Sequence, residues 1–228
     1  MAADIVTYFS EPRIATYAGR CGGDEARALA LYRANAHISG TAHTAVHYCE
    51  VMLRNALDRE LRTWNEAVQG KPEWSLDPGA LLASVLPADR FRSARDHAAR
   101  AIRGRRVVTH DDVVSQFSFG IWRNLLPSHR HRWKQVLWEE ALQHAFGNRN
   151  GVRVDQIARS VSIVCDFRNR IAHHEPVFAL DLRGKRRAMR DVLNSISPTA
   201  RRWFVEHEPL SAALDDFYAE WPEFARTN

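Results

Sequence analysis

Residues 152–174 read VRVDQIARSVSIVCDFRNRIAHH, and this stretch decides the fold class of the chain. Its apolar residues recur every three or four positions, as they do on the buried face of an α-helix. These apolar positions are Val154, Ile157, Val161, Val164, Cys165, Phe167 and Ile171. Glu175 and Pro176 follow, and the residue before a proline resists the helical conformation. The stretch therefore predicts a long amphipathic helix that ends just before Pro176.

Helical periodicity extends over most of the remaining chain. The predicted helices cover 24–38, 41–68, 88–103, 110–126, 128–146 and 183–196, with short ones after Ser197 and from a cap at Ser211. Ser39–Gly40 marks a candidate break or kink between the first two helices. Thr109, with Asp112 three positions later, predicts the N-cap of the 110–126 helix.

The composition is that of a folded globular chain. Hydrophobic residues make up 45% of the 228 residues, which is enough for a packed core. No run alternates apolar and polar residues over the length of a strand. We predict an all-α fold, a helical bundle with additional helices. We expect one domain over 1–228, with a core at about 24–200 and a C-terminal helical extension at 201–228.

The chain is basic, with a formal net charge of +5 and a pI of about 9.4. Such a charge favours a polyanionic or acidic partner. A charge that serves only solubility explains it equally well. Net charge carries no information about the fold.

Several sequence features indicate a soluble cytoplasmic protein. Cys21, Cys49 and Cys165 are odd in number, far apart and free of any CxxC pair, so reduced thiols are expected rather than a disulfide framework or a zinc ribbon. The segment 1–14 contains acids and no apolar core region, unlike a signal peptide. No run approaches the roughly 20 apolar residues that a membrane span requires.

The end of the 152–174 helix concentrates polar groups of distinct chemistry. Each helical residue advances by about 100°, so Asn169 and His173 lie above one another. Arg168 and His173 are about 140° apart, a gap that a long arginine side chain can bridge near a helix end. His174 is the next residue and points elsewhere.

These residue types suit the cleavage of RNA. A histidine transfers protons near neutral pH, and the planar fork of an arginine matches a phosphate. RNA cleavage requires a proton to leave the 2′-OH, a proton to reach the leaving oxygen, and stabilisation of the charge on phosphorus. The structural alternative is a helix cap, in which basic residues complement the helix dipole and bond the last carbonyls.

Three segments together resemble the Abi-like (abortive infection) bacterial proteins of the HEPN superfamily. RNRIAHHEPVF at 168–178 has the arginine, the polar neighbour and the histidine at the spacing of the superfamily motif. EVMLRNAL at 50–57 is similar to the family's first long helix, and SFGIWRNLL at 118–126 is similar to a third segment. One departure is YRAN at 32–35, where the family often has a Trp-Asn step.

The resemblance implies a HEPN-type helical bundle with a metal-independent endoribonuclease activity. It implies a toxin or antiphage effector that cleaves tRNA, rRNA or mRNA, needs no cofactor or metal, and completes its site as a homodimer. An antitoxin protein or RNA is a further partner of such effectors.

The resemblance also implies roles for individual residues. His173 would be the acid–base residue, and Arg168 would bind the phosphate or stabilise the transition state. Asn169 would orient the substrate. The residues expected in supporting or substrate-binding roles are Asn169, His174, Glu50, Arg54, Asn55 and His47.

A polar stripe on the 41–68 helix allows several interpretations. His43, His47, Glu50 and Arg54 recur at helical spacing. They could line the cleft used by His173 or form a solvated face. His43 and His47 could also hold a metal, although no third ligand has suitable spacing.

Two stretches are rich in cations. The segment 90–106 contains seven arginines and one acid, Asp96, and the segment 183–190 contains five more cations. Such stretches are either solvated faces or phosphate-binding surfaces, and an RNA-cleavage motif nearby favours the second.

Two other functions remain open. The chain could be a non-catalytic module that binds RNA or a partner protein, or a structural helical subunit in which the 168–176 segment caps a helix.

Overall fold

The computed structural model describes residues 2–127 and 131–225, and within these residues the fold is all-α with no β-strand, as predicted. The α-helices are α1 (Ala2–Phe9), α2 (Glu11–Ala18), α3 (Glu25–Gln69), α4 (Ala80–Val85), α5 (Ala88–Ile102), α6 (His110–Gln116), α7 (Phe119–Leu125), α8 (Arg132–Glu140), α9 (Val154–Ala172), α10 (Leu182–Ile196), α11 (Pro198–His207) and α12 (Leu210–Glu220). Short 3₁₀ helices cover Leu142–Ala145 and Pro222–Phe224.

Helix α3 runs without interruption through the predicted break at Ser39–Gly40, so that prediction is wrong. A glycine inside a helix costs only about 1 kcal/mol relative to alanine. The 45-residue helix tolerates this cost because apolar residues before and after Gly40, such as Ile38 and Ala42, are buried.

The predicted capping box at the start of α6 is confirmed. The Thr109 hydroxyl accepts a bond from the Asp112 N–H at 3.3 Å, and the Asp112 carboxylate accepts one from the Thr109 N–H at 2.8 Å. The Arg106 guanidinium and the Thr109 donors hold the pKa of Asp112 well below its usual range.

The predicted 110–126 helix is divided into α6 and α7. Phe117 and Ser118 have extended backbone angles between the two helices. The Phe117 ring is buried and stacks on the Trp74 ring, with 5.6 Å between the ring centres. The residue that ends α6 is therefore also one that is buried in the core. The first three positions of the predicted 128–146 helix lie outside the described residues, and Arg132–Glu140 within it is helical.

The contacts of the chain group into two compact units. Unit 1 comprises Met1–Ala45, Arg168–Arg186 and Glu208–Asn228, and unit 2 comprises Val46–Phe167 and Arg187–His207. The assignment of 1–228 to one domain, with a core at 24–200 and an extension at 201–228, stays a prediction.

Unit 1 has an aromatic core. The Tyr17 ring packs against Tyr32 at 5.1 Å and against Phe178 at 5.2 Å. Burial raises the pKa of Tyr17 to about 12.

Helix α12 of unit 1 begins differently from the prediction of a Ser211 cap. The buried Glu208 carboxylate accepts bonds from the N–H groups of Leu210 at 2.8 Å and Ser211 at 3.2 Å. The same carboxylate pairs with Arg186 at 2.6 Å. The Glu208 side chain therefore both caps this helix and pairs with the half-buried Arg186.

Unit 2 has its own aromatic core. Trp74 lies at its centre and contacts Phe91, Phe117 and Trp122 at ring distances of 6.3, 5.6 and 6.0 Å. These rings hold the loop after α3 against α5, α6 and α7, which fixes the positions of the arginines on α5.

Over residues 2–127 and 131–225, no helix has both the length and the apolar character that crossing a membrane requires.

Candidate functional site

The end of helix α9 is a Schellman motif built on two histidines. The N–H of His174 bonds to the carbonyl of Ile171 at 3.0 Å, and the N–H of Glu175 bonds to the carbonyl of Arg170 at 2.9 Å. His173 is thus the C-cap residue. His174 takes the left-handed conformation, with φ 56°. Glycine is the usual residue there, because a side chain in this conformation costs about 1–2 kcal/mol.

The side chains at this helix end do not take part in the cap. Asn169 and His173 are exposed, and neither side chain has a hydrogen bond, ion pair or ring contact within the described part of the chain. Arg168 is half-buried. It precedes His173 by five residues, or about 7.5 Å along a helix axis. The backbone therefore satisfies the helix end, and the imidazole of His173 stays available for chemistry.

His174 faces a different environment from His173. It lines a cavity of about 270 Å³ within unit 1. The other lining residues are Arg13, Tyr32, Asn35, Ala36, Ser39, Gly40, His43 and Ile171. Arg168, Asn169 and His173 are not among them, as expected from the prediction that His174 points elsewhere.

Arg13 is a residue of this region that the sequence did not indicate. Its guanidinium donates to the backbone carbonyl of His174 at 2.6 Å and to the Tyr32 hydroxyl at 3.3 Å. The two ends of the first bond are 161 positions apart, so no local pattern could have predicted it.

The YRAN segment at 32–35 has a structural role. The buried amide oxygen of Asn35 accepts bonds from the N–H groups of Val177 at 2.8 Å and Phe178 at 3.0 Å. This fixes the chain immediately after the two histidines. The asparagine of the YRAN segment therefore has a structural use, because it holds the chain that follows the two histidines.

The remaining predicted site residues belong to unit 2. His47 and Asn55 are exposed, and Glu50 and Arg54 are half-buried. The Arg54 guanidinium donates to the Asn55 amide oxygen at 3.3 Å. The His47 ring lies 6.1 Å from the Tyr48 ring.

Within the described residues, no cluster of three or more His, Cys, Asp or Glu side chains is suited to a metal ion. Within the described residues, Cys21, Cys49 and Cys165 form no disulfide. Burial raises the pKa of the Cys49 thiol well above its usual range.

A second histidine environment, in unit 2, was not expected from the sequence. His110 Nε2 lies 2.9 Å from the Asp58 carboxylate, and His110 Nδ1 lies 2.9 Å from the Ser75 hydroxyl. The Trp74 N–H also donates to Asp58 at 2.8 Å. Although the set resembles a serine–histidine–aspartate relay, Ser75 has 0% exposure, so no substrate can reach it. This network instead secures the loop after α3.

The structure separates the arginines of 90–106 into two groups. Arg95 donates to the carbonyls of Ser75 and Leu76 at 2.6–3.0 Å. Arg106 forms a two-pronged pair with Asp112, and Arg90 lies 3.8 Å from Asp89. The other four, which we call the open arginines, are Arg92, Arg100, Arg103 and Arg105. They are exposed, and over residues 2–127 and 131–225 their side chains have no hydrogen bond or ion pair.

Comparisons of the chain with family models, with curated proteins and with solved structures give no match in any of the three. The resemblance to the Abi-like proteins therefore stays a prediction.

Proposed function

We propose that the protein is a metal-independent endoribonuclease of the HEPN type. The observation that carries the proposal is the exposed imidazole of His173 at the end of α9, which has no hydrogen bond or ion pair with a described residue. Asn169 is exposed on the same helix, and Arg168 lies about 7.5 Å from His173 along the helix axis. Because the Schellman backbone bonds already satisfy this helix end, the imidazole has no structural task that would compete with proton transfer.

The reaction is a transesterification within the RNA strand. His173 removes the proton of a 2′-OH, the 2′ oxygen bonds to the adjacent phosphorus, and the bond from phosphorus to the 5′ oxygen breaks. A second imidazole, from His173 of another copy of the chain, protonates the leaving oxygen. Arg168 stabilises the charge that develops on the phosphate. The products are a 2′,3′-cyclic phosphate and a 5′-OH.

The open arginines support an RNA substrate. Four guanidinium groups with no hydrogen bond or ion pair to any described residue, on a chain with a net charge of +5, favour a partner that carries regularly spaced phosphates. We propose cytoplasmic tRNA, rRNA or mRNA as the target. A role as a toxin or antiphage effector, acting as a homodimer and restrained by an antitoxin protein or RNA, follows from the resemblance.

Cleavage of purified RNA with EDTA present tests this proposal. Wild-type protein should cut tRNA, rRNA or mRNA, and His173→Ala and Arg168→Ala should not. His144→Ala is the matched control, because His144 is also exposed and lies outside the motif. If micromolar wild-type protein leaves all three RNA classes intact, or if His173→Ala cuts as well as wild type, the enzyme proposal fails.

The alternative is a non-catalytic RNA-binding module. The observation that favours it is the set of four open arginines, which can bind phosphates but stay charged and so cannot transfer a proton. Such a module binds RNA with a strong salt dependence and cuts nothing. In that case His173→Ala leaves any growth phenotype unchanged, and substitution of the open arginines abolishes it.

A further inference from the structure

The cavity beside His174 has the chemistry of an anion site. Arg13, His43 and His174 line it, together with Tyr32 and Ser39. None of its described lining residues is an Asp or Glu. A second cavity in unit 1, of about 400 Å³, differs because Asp216 and Glu220 line it. The cavity beside His174 is therefore the one that favours a negative charge.

Arg13 is held in place before any ligand arrives. One of its N–H groups bonds to the His174 carbonyl and another to the Tyr32 hydroxyl. Its centre also lies 5.7 Å from the Tyr32 ring. A guanidinium has five N–H donors, so the others remain for a ligand. Because the side chain is already ordered, little freedom is lost when an anion binds.

At two positions that line this cavity, the residue is not the one that the local backbone conformation favours. Such conflicts are typical of functional sites. His174 occupies a left-handed position that glycine would take more easily. Gly40 lies inside α3, where alanine would stabilise the helix. No close neighbour requires the glycine, because a Cβ added at Gly40 would meet no atom within 4 Å. His174 and Gly40 both line the cavity.

We propose that this cavity binds a phosphate group of the RNA, held by Arg13, His43 and His174. The inference rests on the proposed ribonuclease function and adds to it a phosphate subsite separate from Arg168 and His173. The volume of about 270 Å³ equals that of about nine water molecules, which leaves room for a phosphate and part of its sugar.

Histidine NMR with inorganic phosphate as the first probe tests the subsite. The ring signals of His43 and His174, assigned with His43→Gln and His174→Gly, should shift and saturate as phosphate is added. The signal of His144 should not move. A dinucleotide with a blocked 2′-OH serves as a second probe that cannot be cleaved. Shifts that do not saturate, or that include His144 equally, overturn the proposal.

Substitutions of Gly40 separate a binding role of the cavity from a structural role, because they should change phosphate affinity without lowering Tm. Gly40→Leu should fill the cavity and weaken phosphate binding at least tenfold, while Tm stays at or above that of wild type. Gly40→Ala should raise Tm by about 2–4 °C. Gly120→Ala is the matched control, because Gly120 is also helical and its added Cβ would meet only Ser118, at 3.6 Å. Unchanged phosphate binding in Gly40→Leu contradicts the proposal.

The subsite and the catalytic function can fail separately. If wild type cleaves RNA and both His43→Gln and Gly40→Leu retain its KM, the subsite is wrong and the ribonuclease stands. If phosphate saturates the cavity but neither RNA cleavage nor binding of the blocked dinucleotide occurs, the assignment to RNA is wrong. A fall in dinucleotide affinity in both variants, with His173→Ala unaffected, supports the subsite.

Discussion

His110 in unit 2 and His173 in unit 1 show two opposite uses of the same side chain. His110 is 4% exposed, and both of its ring nitrogens lie at hydrogen-bond distance from a partner, Asp58 or Ser75. His173 is exposed, and within the described residues its ring has no partner. A histidine whose two ring nitrogens are both bonded to other side chains holds the structure together. A histidine with open nitrogens can exchange a proton with a substrate. This comparison predicts different consequences for loss of each ring.

The largest effect should follow from removal of the exposed ring. His173→Ala should lower the rate of RNA cleavage by about 10²–10⁴-fold, the usual contribution of a general acid–base residue. Its Tm should stay within about 1 °C of wild type, because the ring is exposed and has no hydrogen bond, ion pair or ring contact with a described residue. Single-turnover cleavage assays and thermal melts measure the two quantities. A large loss of Tm with the loss of activity would place His173 in the same structural class as His110.

The next largest effect should follow from removal of the buried ring. His110→Ala removes one hydrogen-bond partner each from Asp58 and Ser75 and opens a cavity beside Trp74. The free energy of unfolding should fall by about 2–4 kcal/mol. Urea denaturation measures it, with His144→Ala as an exposed control that should change stability by less than about 0.5 kcal/mol. If the two variants are equally stable, the Asp58–His110–Ser75 network has no structural role.

The arginines of α5 and of the loop after it can also be compared by whether their side chains have partners within the described residues. Replacement of the four open arginines by glutamine should reduce the slope of log affinity against log salt by about 0.7 for each lost contact with single-stranded RNA. Fluorescence anisotropy in the His173→Ala background measures it without cleavage. Asp96 lies on α5 between Arg92 and Arg100, so Asp96→Asn should tighten binding.

A charge-matched variant controls for net charge. It replaces Arg59, Arg153, Arg159 and Arg202, which are also exposed, by glutamine. Its salt slope should stay close to that of wild type. If both fourfold variants weaken RNA binding equally, net charge alone drives binding and the open arginines are a solvated face. Binding to anionic vesicles but not to RNA would instead indicate a membrane surface as the partner.

The smallest effect concerns the residue after His173. His174→Gly should raise the free energy of unfolding by up to about 1 kcal/mol, because glycine adopts the left-handed conformation without steric cost. His173→Gly should not stabilise, because His173 is not in the left-handed conformation that favours glycine. Urea denaturation compares the two. A less stable His174→Gly variant would show that the His174 ring contributes to packing.

Local sequence signals predicted the features that depend on local physics. The apolar spacing at 154–171 identified α9, and Pro176 identified its end. The Thr109–Asp112 capping box marked the start of α6. These features depend on helical periodicity and on bonds across one helical turn, which a sequence displays directly.

The features that the sequence did not predict depend on distant parts of the chain. The Arg13 bond to His174 and the Asp58–His110–Ser75 network join residues that only the fold brings together. Ser39–Gly40 carries a turn signal, but burial on either side keeps α3 continuous. For the candidate site, the sequence predicted the residues, their chemistry and the different directions of His173 and His174, and these assignments stay predictions. It did not predict the left-handed conformation of His174 or the cavity that His174 lines with Arg13.

Sequencing of 5′-OH RNA ends in bacteria tests the central claim most directly. Wild type and His173→Ala would be expressed to equal levels, with growth followed in both cultures. The account predicts discrete new 5′-OH ends and slowed growth with wild type, and neither with His173→Ala. Identical sets of ends in the two cultures, or no new ends with wild type, would contradict the assignment of His173 as the residue that moves the proton.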